Sequence, residues 1–326
     1  MTPTRTFRAD RGDVRTRRLD LALVRHLNDL PDVSRARVQA WIEAGQVRVN
    51  GVAASRPAAR VGLDDSVEVA LPPPKPQPPG PAAEERALSI LYEDEHLLAV
   101  DKPAGIIVHP TRGHPEGTLL NALLWRAREW VGEGERPSLV SRLDRETSGV
   151  LLVAKTQAVH GGLARTLRGP NARKEYLAVV YGRTPAAKGR VELKILCDPE
   201  DRTRRITSKD EGQASVTLWE RLAEADGPLT LLRCRLMTGR THQIRVHLES
   251  QGLPIVGDPV YGEPRWKGIA DADRAAACRD FPRQALHAWH LAFVHPVTRQ
   301  PLEIFAPPPA DLQGLLDATG LAGGAA

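Results

Sequence analysis

The stretch Leu139-Val140-Ser141-Arg142-Leu143-Asp144-Arg145-Glu146-Thr147-Ser148-Gly149-Val150-Leu151-Leu152-Val153-Ala154-Lys155 decides how the chain is read. An apolar pair leads into a polar loop that sets one carboxylate between two arginines. Gly149 then releases the backbone into an unbroken apolar run, the signature of a strand buried on both faces. Asp144 therefore sits on a loop held by a buried strand. Positive charge beside a carboxylate favours its charged form, which makes Asp144 available as a nucleophile or base, although an Arg-x-Asp-Arg run taken by itself reads first as a surface salt-bridge loop.

Upstream, Arg18 to Leu27 carries apolar residues at helical spacing, and Pro31 stops it. A second helix follows, with Ser34 as N-cap, Val38, Trp41 and Ile42 as its apolar stripe, and Gly45 at its end. Gln46 to Val52 alternates and turns at Asn50-Gly51, a hairpin signal, and Asp65 to Val69 predicts a further strand. The run Leu71 to Pro81 is dominated by proline, which excludes a helix or inner strand and marks a boundary.

Downstream, Ser89 to Gly105 predicts a hairpin ending in the turn Lys102-Pro103-Ala104-Gly105. Helices are predicted over Thr118–Arg128 and about Gln157–Leu167, and strands over Arg173–Gly182, Arg190–Leu196, Ala214–Leu222, Leu229–Leu236 and Leu302–Pro307. Met237 to Leu248 turns into a helix, with Thr241 as its expected cap. The residues from about Pro264 to Asp280 are weakly patterned and expected to form a loop. The fold class is α+β, with a small domain of paired helices and strands joined to a larger domain on a largely antiparallel sheet. Its divisions are a basic tail over 1–14, a small domain over 15–71, a linker over 72–86, the larger domain over 87–312 and a C-terminal tail over 313–326.

Composition narrows the function. Lys and Arg number 45 against 40 Asp and Glu, and arginines gather at the N-terminus, in Arg5, Arg8, Arg11, Arg15, Arg17, Arg18 and Arg25, where they suit phosphate contact or a solvated tail. The three cysteines are far apart and suggest neither a disulfide framework nor a zinc site. His242 and His247 are five apart and do not share a helix face, so a two-histidine metal site is disfavoured. His287 and His290 lack further ligands. With no long apolar run and no signal-peptide core, the expectation is a cytoplasmic protein without a membrane partner; neither the cysteines nor the histidines suggest a metal site, and a monomer is expected.

The string Arg142-Leu143-Asp144-x-x-Thr147-Ser148-Gly149, followed by the apolar strand, resembles the catalytic motif of the RluA-type RNA pseudouridine synthases. Lys102-Pro103-x-Gly105, Lys174-x-Tyr176 and Gly239-Arg240-Thr241-His242-Gln243-Ile244-Arg245 resemble three further motifs of that family. The resemblance implies a catalytic role for Asp144. It also implies that Arg142 fills the space vacated by a flipped uridine, that Tyr176 stacks on it, and that Arg245 pairs with Asp144. One departure is Ser141, where the family usually has His. The paired N-terminal helices resemble the RNA-binding module named after ribosomal small-subunit protein S4. Arg17, Arg18, Ser34, Arg35 and Arg37 would there face RNA, as would Lys102, His109, Arg240 and His242 in the larger domain. The implied substrate is RNA, foremost large-subunit ribosomal RNA or its precursor, with transfer RNA as the alternative. A catalytically silent assembly factor is a rival that Ser141 would support. A methyltransferase is opposed by the absence of a glycine-rich nucleotide loop.

Overall fold

The computed structural model describes residues 4–16, 18–30, 33–71, 80–111, 113–130, 136–262 and 265–324. The chain divides into two compact units between Gly80 and Pro81.

The first unit contains β1 (Thr4–Arg8), α1 (Arg11–Thr16), α2 (Leu19–His26), α3 (Arg35–Glu43), β2 (Val47–Val49), β3 (Val52–Ala53) and β4 (Ser66–Ala70). Its sheet runs β1-β4-β2-β3, all antiparallel. Leu19 and Leu23 of α2 pack with Val38 and Ile42 of α3 on Val47, Val67 and Val69, as the helical stripes predict. The expected basic tail is not a tail. Thr4–Arg8 pairs along β4, and it escaped the sequence because only Phe7 of the five is partly buried, which leaves no alternating apolar signal.

The second unit begins within the expected linker. Asn121 donates to the Ala82 carbonyl at 2.7 Å and accepts from the Glu84 amide at 3.0 Å, so the segment from 82 packs here; residues 72–79 lie outside the described residues. In order come β5 (Ile90–Glu93), β6 (Leu97–Lys102), α4 (Leu119–Arg126), β7 (Ser138–Leu139), β8 (Ser148–Ala154) and α5 (Gln157–Arg168). Then follow β9 (Arg173–Tyr181), β10 (Lys188–Cys197), β11 (Arg205–Ser208), β12 (Gln213–Glu224), β13 (Leu229–Leu236) and α6 (Gln243–Ser250). The chain continues through α7 (Ala272–Asp280), β14 (Leu286–Val294), β15 (Pro301–Phe305) and α8 (Ala310–Thr319).

Its sheet runs β11-β10-β12-β13-β9-β14-β8-β6-β5, with β7 added to β8 and β15 to β14. Pairing is antiparallel except between β14 and β8. The continuous apolar run of β8 has its reason in two covered faces. Val150, Leu152 and Ala154 pack with Leu163 and Leu167 of α5, while Leu151 and Val153 pack with Leu119 and Leu123 of α4. Gly149 has φ +109°, and a Cβ there would meet the Ala288 carbonyl, so β14 can lie against β8 only because this position is glycine.

Two further expectations are corrected. The weakly patterned segment forms a short 3-10 helix at Arg265–Gly268 and then α7, capped by Asp271, whose carboxylate accepts from the amides of Asp273 and Arg274. The expected C-terminal tail contains α8, with Leu312, Leu315, Leu316 and Leu321 buried in the main core and Gly320 at φ +74° closing the helix. Among the described residues no helix is long and apolar enough to cross a membrane.

Candidate active site

Asp144 lies on the loop entering β8, Tyr176 on β9, and Arg245 on α6, directly after the turn that follows β13. These elements surround a cavity of about 810 Å³, lined among others by Arg142, Asp144, Tyr176, Arg240, His242 and Arg245. A second cavity of about 480 Å³ adjoins it between His109, Arg142 and Arg145. The structure thus brings together at one cavity three motifs that are far apart in sequence.

The centre is an ion triad. Arg245 donates from Nη1 to Asp144 Oδ2 at 2.9 Å, and from Nε and Nη2 to the two oxygens of Asp258 at 2.6 and 2.8 Å. Asp258 also accepts from the amides of Val260 and Tyr261. Burial alone would raise the Asp258 carboxyl, but the Arg245 guanidinium and these amides hold it below its ordinary value. Burial likewise opposes charge on Arg245, and the two carboxylates outweigh it. Asp144 is the open end of the triad: its side chain is 25% exposed, against 5% for Arg245 and none for Asp258. Tyr176 is held in its neutral phenol form, first by burial and then by the Asp144 charge.

The loop is gripped at every position from 144 to 148. Arg245 holds the Asp144 carboxylate. The Lys102 ammonium donates to the carbonyls of Arg145, Pro103 and Ile106 at 2.8, 2.8 and 3.1 Å. Arg283 donates to the Glu146 carbonyl at 3.1 Å while its other nitrogens pair with Asp311 of α8. Gln284 donates to Thr147 Oγ1 at 3.2 Å. His287 donates from Nε2 to the Ala306 carbonyl at 3.0 Å, so its Nδ1 accepts the Ser148 hydroxyl at 2.9 Å. A side chain so preorganised by its surroundings meets its target without reorganising.

The turn before α6 departs from expectation. Thr241 does not cap the helix; His242 occupies that place with φ +56°, a left-handed conformation costing a non-glycine residue about 1–3 kcal/mol. Gln243 holds the turn by accepting from the Arg240 amide and the Thr238 hydroxyl and donating to Val216 and Thr217. His242 Nδ1 lies 2.9 Å from the Tyr261 hydroxyl, and its Nε2 lies 3.9 Å from Asp144 Oδ2.

The remaining candidates divide. Arg142 and Arg240 are exposed at the cavity, and His109 is half-buried beside Arg142; burial and that arginine both lower its pKa. Lys102, expected to face RNA, is fully buried; its chemistry is to hold carbonyls, and burial lowers its pKa to about 8. In the first unit Ser34 caps α3 by accepting from the Arg37 amide. Arg18 and Arg35 both donate to the buried Asp20, whose carboxyl burial would raise but their hydrogen bonds depress. Arg37 lies over the Trp41 ring at 5.6 Å. Arg17 lies outside the described residues. Asp10, Asp13 and His26 converge as metal ligands would, yet Arg25 Nη1 already stands 2.5 Å from Asp10 and 3.0 Å from Asp13.

Sequence reading did not find Asp258, Tyr261, Arg283 or Asp311 as parts of the site. The punctuated Gly257-Asp258-Pro259-x-Tyr261-Gly262 loop was the available signal, and it reads as a turn.

A carboxylate, an aromatic ring and arginines around one open cavity are the set a base-modifying enzyme needs. Residues 96–250 match the RNA pseudouridylate synthase family and residues 17–67 match the S4 domain. The chain belongs to the RNA pseudouridine synthase family, enzymes that isomerise uridine within RNA. It is 42% identical to ribosomal large subunit pseudouridine synthase D of Xanthomonas campestris pv. campestris, over 88% of this chain and 85% of that one. A Nitrosomonas europaea protein of the same description is 42% identical over 92% and 84% of the two chains. Among solved structures, human RNA pseudouridylate synthase domain containing 1 superposes with a TM-score of 0.55 at 27% identity, covering 74% of this chain and 90% of the other. The methyltransferase alternative falls with this result.

Proposed function

We propose that this synthase isomerises one or more uridines of large-subunit ribosomal RNA, acting in the cytoplasm as a monomer, with Asp144 as the essential carboxylate. The observation that carries the reading is the Arg245–Asp144 pair on the wall of a cavity shared with Tyr176 and Arg142. The target base leaves its stack at a cost of about a few kcal/mol. Arg142, exposed at the cavity, fills the vacated space, and the Tyr176 ring supports the uracil. Arg245, itself fixed by Asp258, aims Asp144 at the reacting nucleotide. The N-glycosidic bond breaks, the uracil turns, and carbon five bonds to the ribose. The reaction imports no group and oxidises nothing, so it requires no cofactor. Arg18, Arg35 and Arg37 of the first unit, with Arg240 and His109 of the second, supply phosphate contacts. Ribosomal RNA is favoured over transfer RNA by the names of the relatives. Mapping pseudouridine in cellular RNA with and without this protein tests it: loss at one or a few large-subunit positions is expected, and loss confined to transfer RNA would overturn the choice.

A further inference from the structure

Isomerisation makes a demand that Asp144 cannot meet. When the N-glycosidic bond breaks, its electron pair leaves with the uracil, and negative charge spreads from N1 onto the two carbonyl oxygens. A carboxylate cannot stabilise that charge, and Tyr176 is assigned to the face of the ring. What is needed is a hydrogen-bond donor already aimed into the cavity.

His242 is built as one. Its Nε2 stands 3.9 Å from Asp144 Oδ2 on the cavity wall. The buried Tyr261 hydroxyl accepts the Arg205 amide hydrogen at 2.8 Å, which leaves its own hydrogen for His242 Nδ1 at 2.9 Å. Nδ1 therefore accepts, and in a neutral imidazole the hydrogen must then sit on Nε2, facing Asp144. His242 holds its ring here from a left-handed backbone, φ +56°. Burial lowers the pKa of the ring, and Arg245 and Arg205 add to this against Asp144 and Asp258.

We propose that His242 is a catalytic residue whose Nε2–H donates to a carbonyl oxygen of the flipped uracil and stabilises the charge that the ring acquires as the glycosidic bond breaks. It rests on the reading of Asp144 and uridine isomerisation above. No proton is transferred to or from the imidazole. The bonding pair moves onto the uracil, returns when carbon five bonds to the ribose, the carbon-five proton passes to solvent, and N1 takes one from solvent.

The test is single-turnover tritium release from total RNA of cells lacking the protein, labelled at carbon five of uridine, with enzyme in excess. His242→Ala is expected to slow release at saturation by about 10²–10³-fold, with RNA affinity within about threefold of the parent. His242→Gln places an amide N–H at similar reach and needs no tyrosine, so it should recover about tenfold or more of that loss. Tyr261→Phe should slow the parent by about tenfold and leave His242→Gln unchanged; the lost Arg205 bond is common to both backgrounds and cancels in the cycle. A His242→Ala rate within about threefold of the parent, or a Tyr261→Phe effect equal in both backgrounds, would overturn the proposal. Turnover by Asp144→Asn, run alongside, would instead remove the assignment beneath it.

Discussion

Two carboxylates share the Arg245 guanidinium, and their replacement by asparagine should leave opposite marks. In Asp258→Asn the side-chain oxygen can still accept from Val260, Tyr261 and Arg245 Nη2, but the new amide faces Arg245 Nε–H, 2.6 Å away in the parent. Two donors would then oppose each other in a place with no exposed carboxylate surface, beside an arginine only 5% exposed. Breaking a buried, hydrogen-bonded pair costs about 3–5 kcal/mol. Asp144 remains as a partner, so the lower end, about 3 kcal/mol, is expected, a large part of a domain's typical 5–15 kcal/mol. In Asp144→Asn the open end of the triad changes while Arg245 keeps both bonds to Asp258, and the cost should stay within about 1 kcal/mol. Five of the six tryptophans lie after Gly80, so urea unfolding followed by their fluorescence reports the second unit. Asp258→Asn should also slow tritium release by tenfold or more on the order of one lost positioning bond, because Arg245 no longer aims Asp144. An Asp258→Asn cost below about 1 kcal/mol, or equal costs for the two variants, would refute the triad as described.

Other outcomes follow from the same geometry. Ser141 lines the cavity and makes no hydrogen bond among the described residues, so Ser141→Ala should change the single-turnover rate by less than one net hydrogen bond, about 0.5–1.5 kcal/mol, and Ser141→His should add no pH dependence between about pH 6 and 8; a loss near a thousandfold would show an essential hydroxyl. Burial lowers the His287 pKa from 6.5 to about 4, so the folded state refuses a proton that the unfolded chain takes up. Its contribution, about 3 kcal/mol, is complete above pH 6.5 and lost as the pH falls towards 4; urea midpoints of His287→Gln should lack this increment of acid sensitivity, and equal losses in both proteins would contradict it. Removing residues 1–80 should leave a folded unit with its own core that binds RNA more weakly and with a shallower salt dependence; an unchanged slope would mean that the first unit makes no phosphate contacts.

What could be read from the sequence is what has a period or a long local motif. Leu229–Leu236 alternates and forms β13 over those residues, and the apolar run after Gly149 is β8. The strand Thr4–Arg8 has no apolar period because its face is solvent. Leu312, Leu315 and Leu316 do have helical spacing, but the Gly- and Ala-rich residues around them mask it. The motif loop identified Asp144 and Arg142 as candidates and a second motif identified Arg245, and the structure puts all three at one cavity. The clamp around the loop was not legible, since Arg283 and Glu146 are 137 positions apart and a charge that will be buried looks in sequence like any surface charge. Lys102 shows the same limit in reverse: its type suggests RNA, and only burial reveals that its ammonium holds backbone carbonyls.

The dependence of isomerisation on Asp144 is tested most directly by tritium release from carbon-five-labelled uridine RNA, measured with RNA affinity for the parent and for Asp144→Asn. Asparagine keeps the shape of the side chain and loses its charge and nucleophilicity, whereas affinity rests mainly on phosphate contacts elsewhere. Release should be abolished while affinity stays within a few-fold, and turnover near the parent rate would contradict the account.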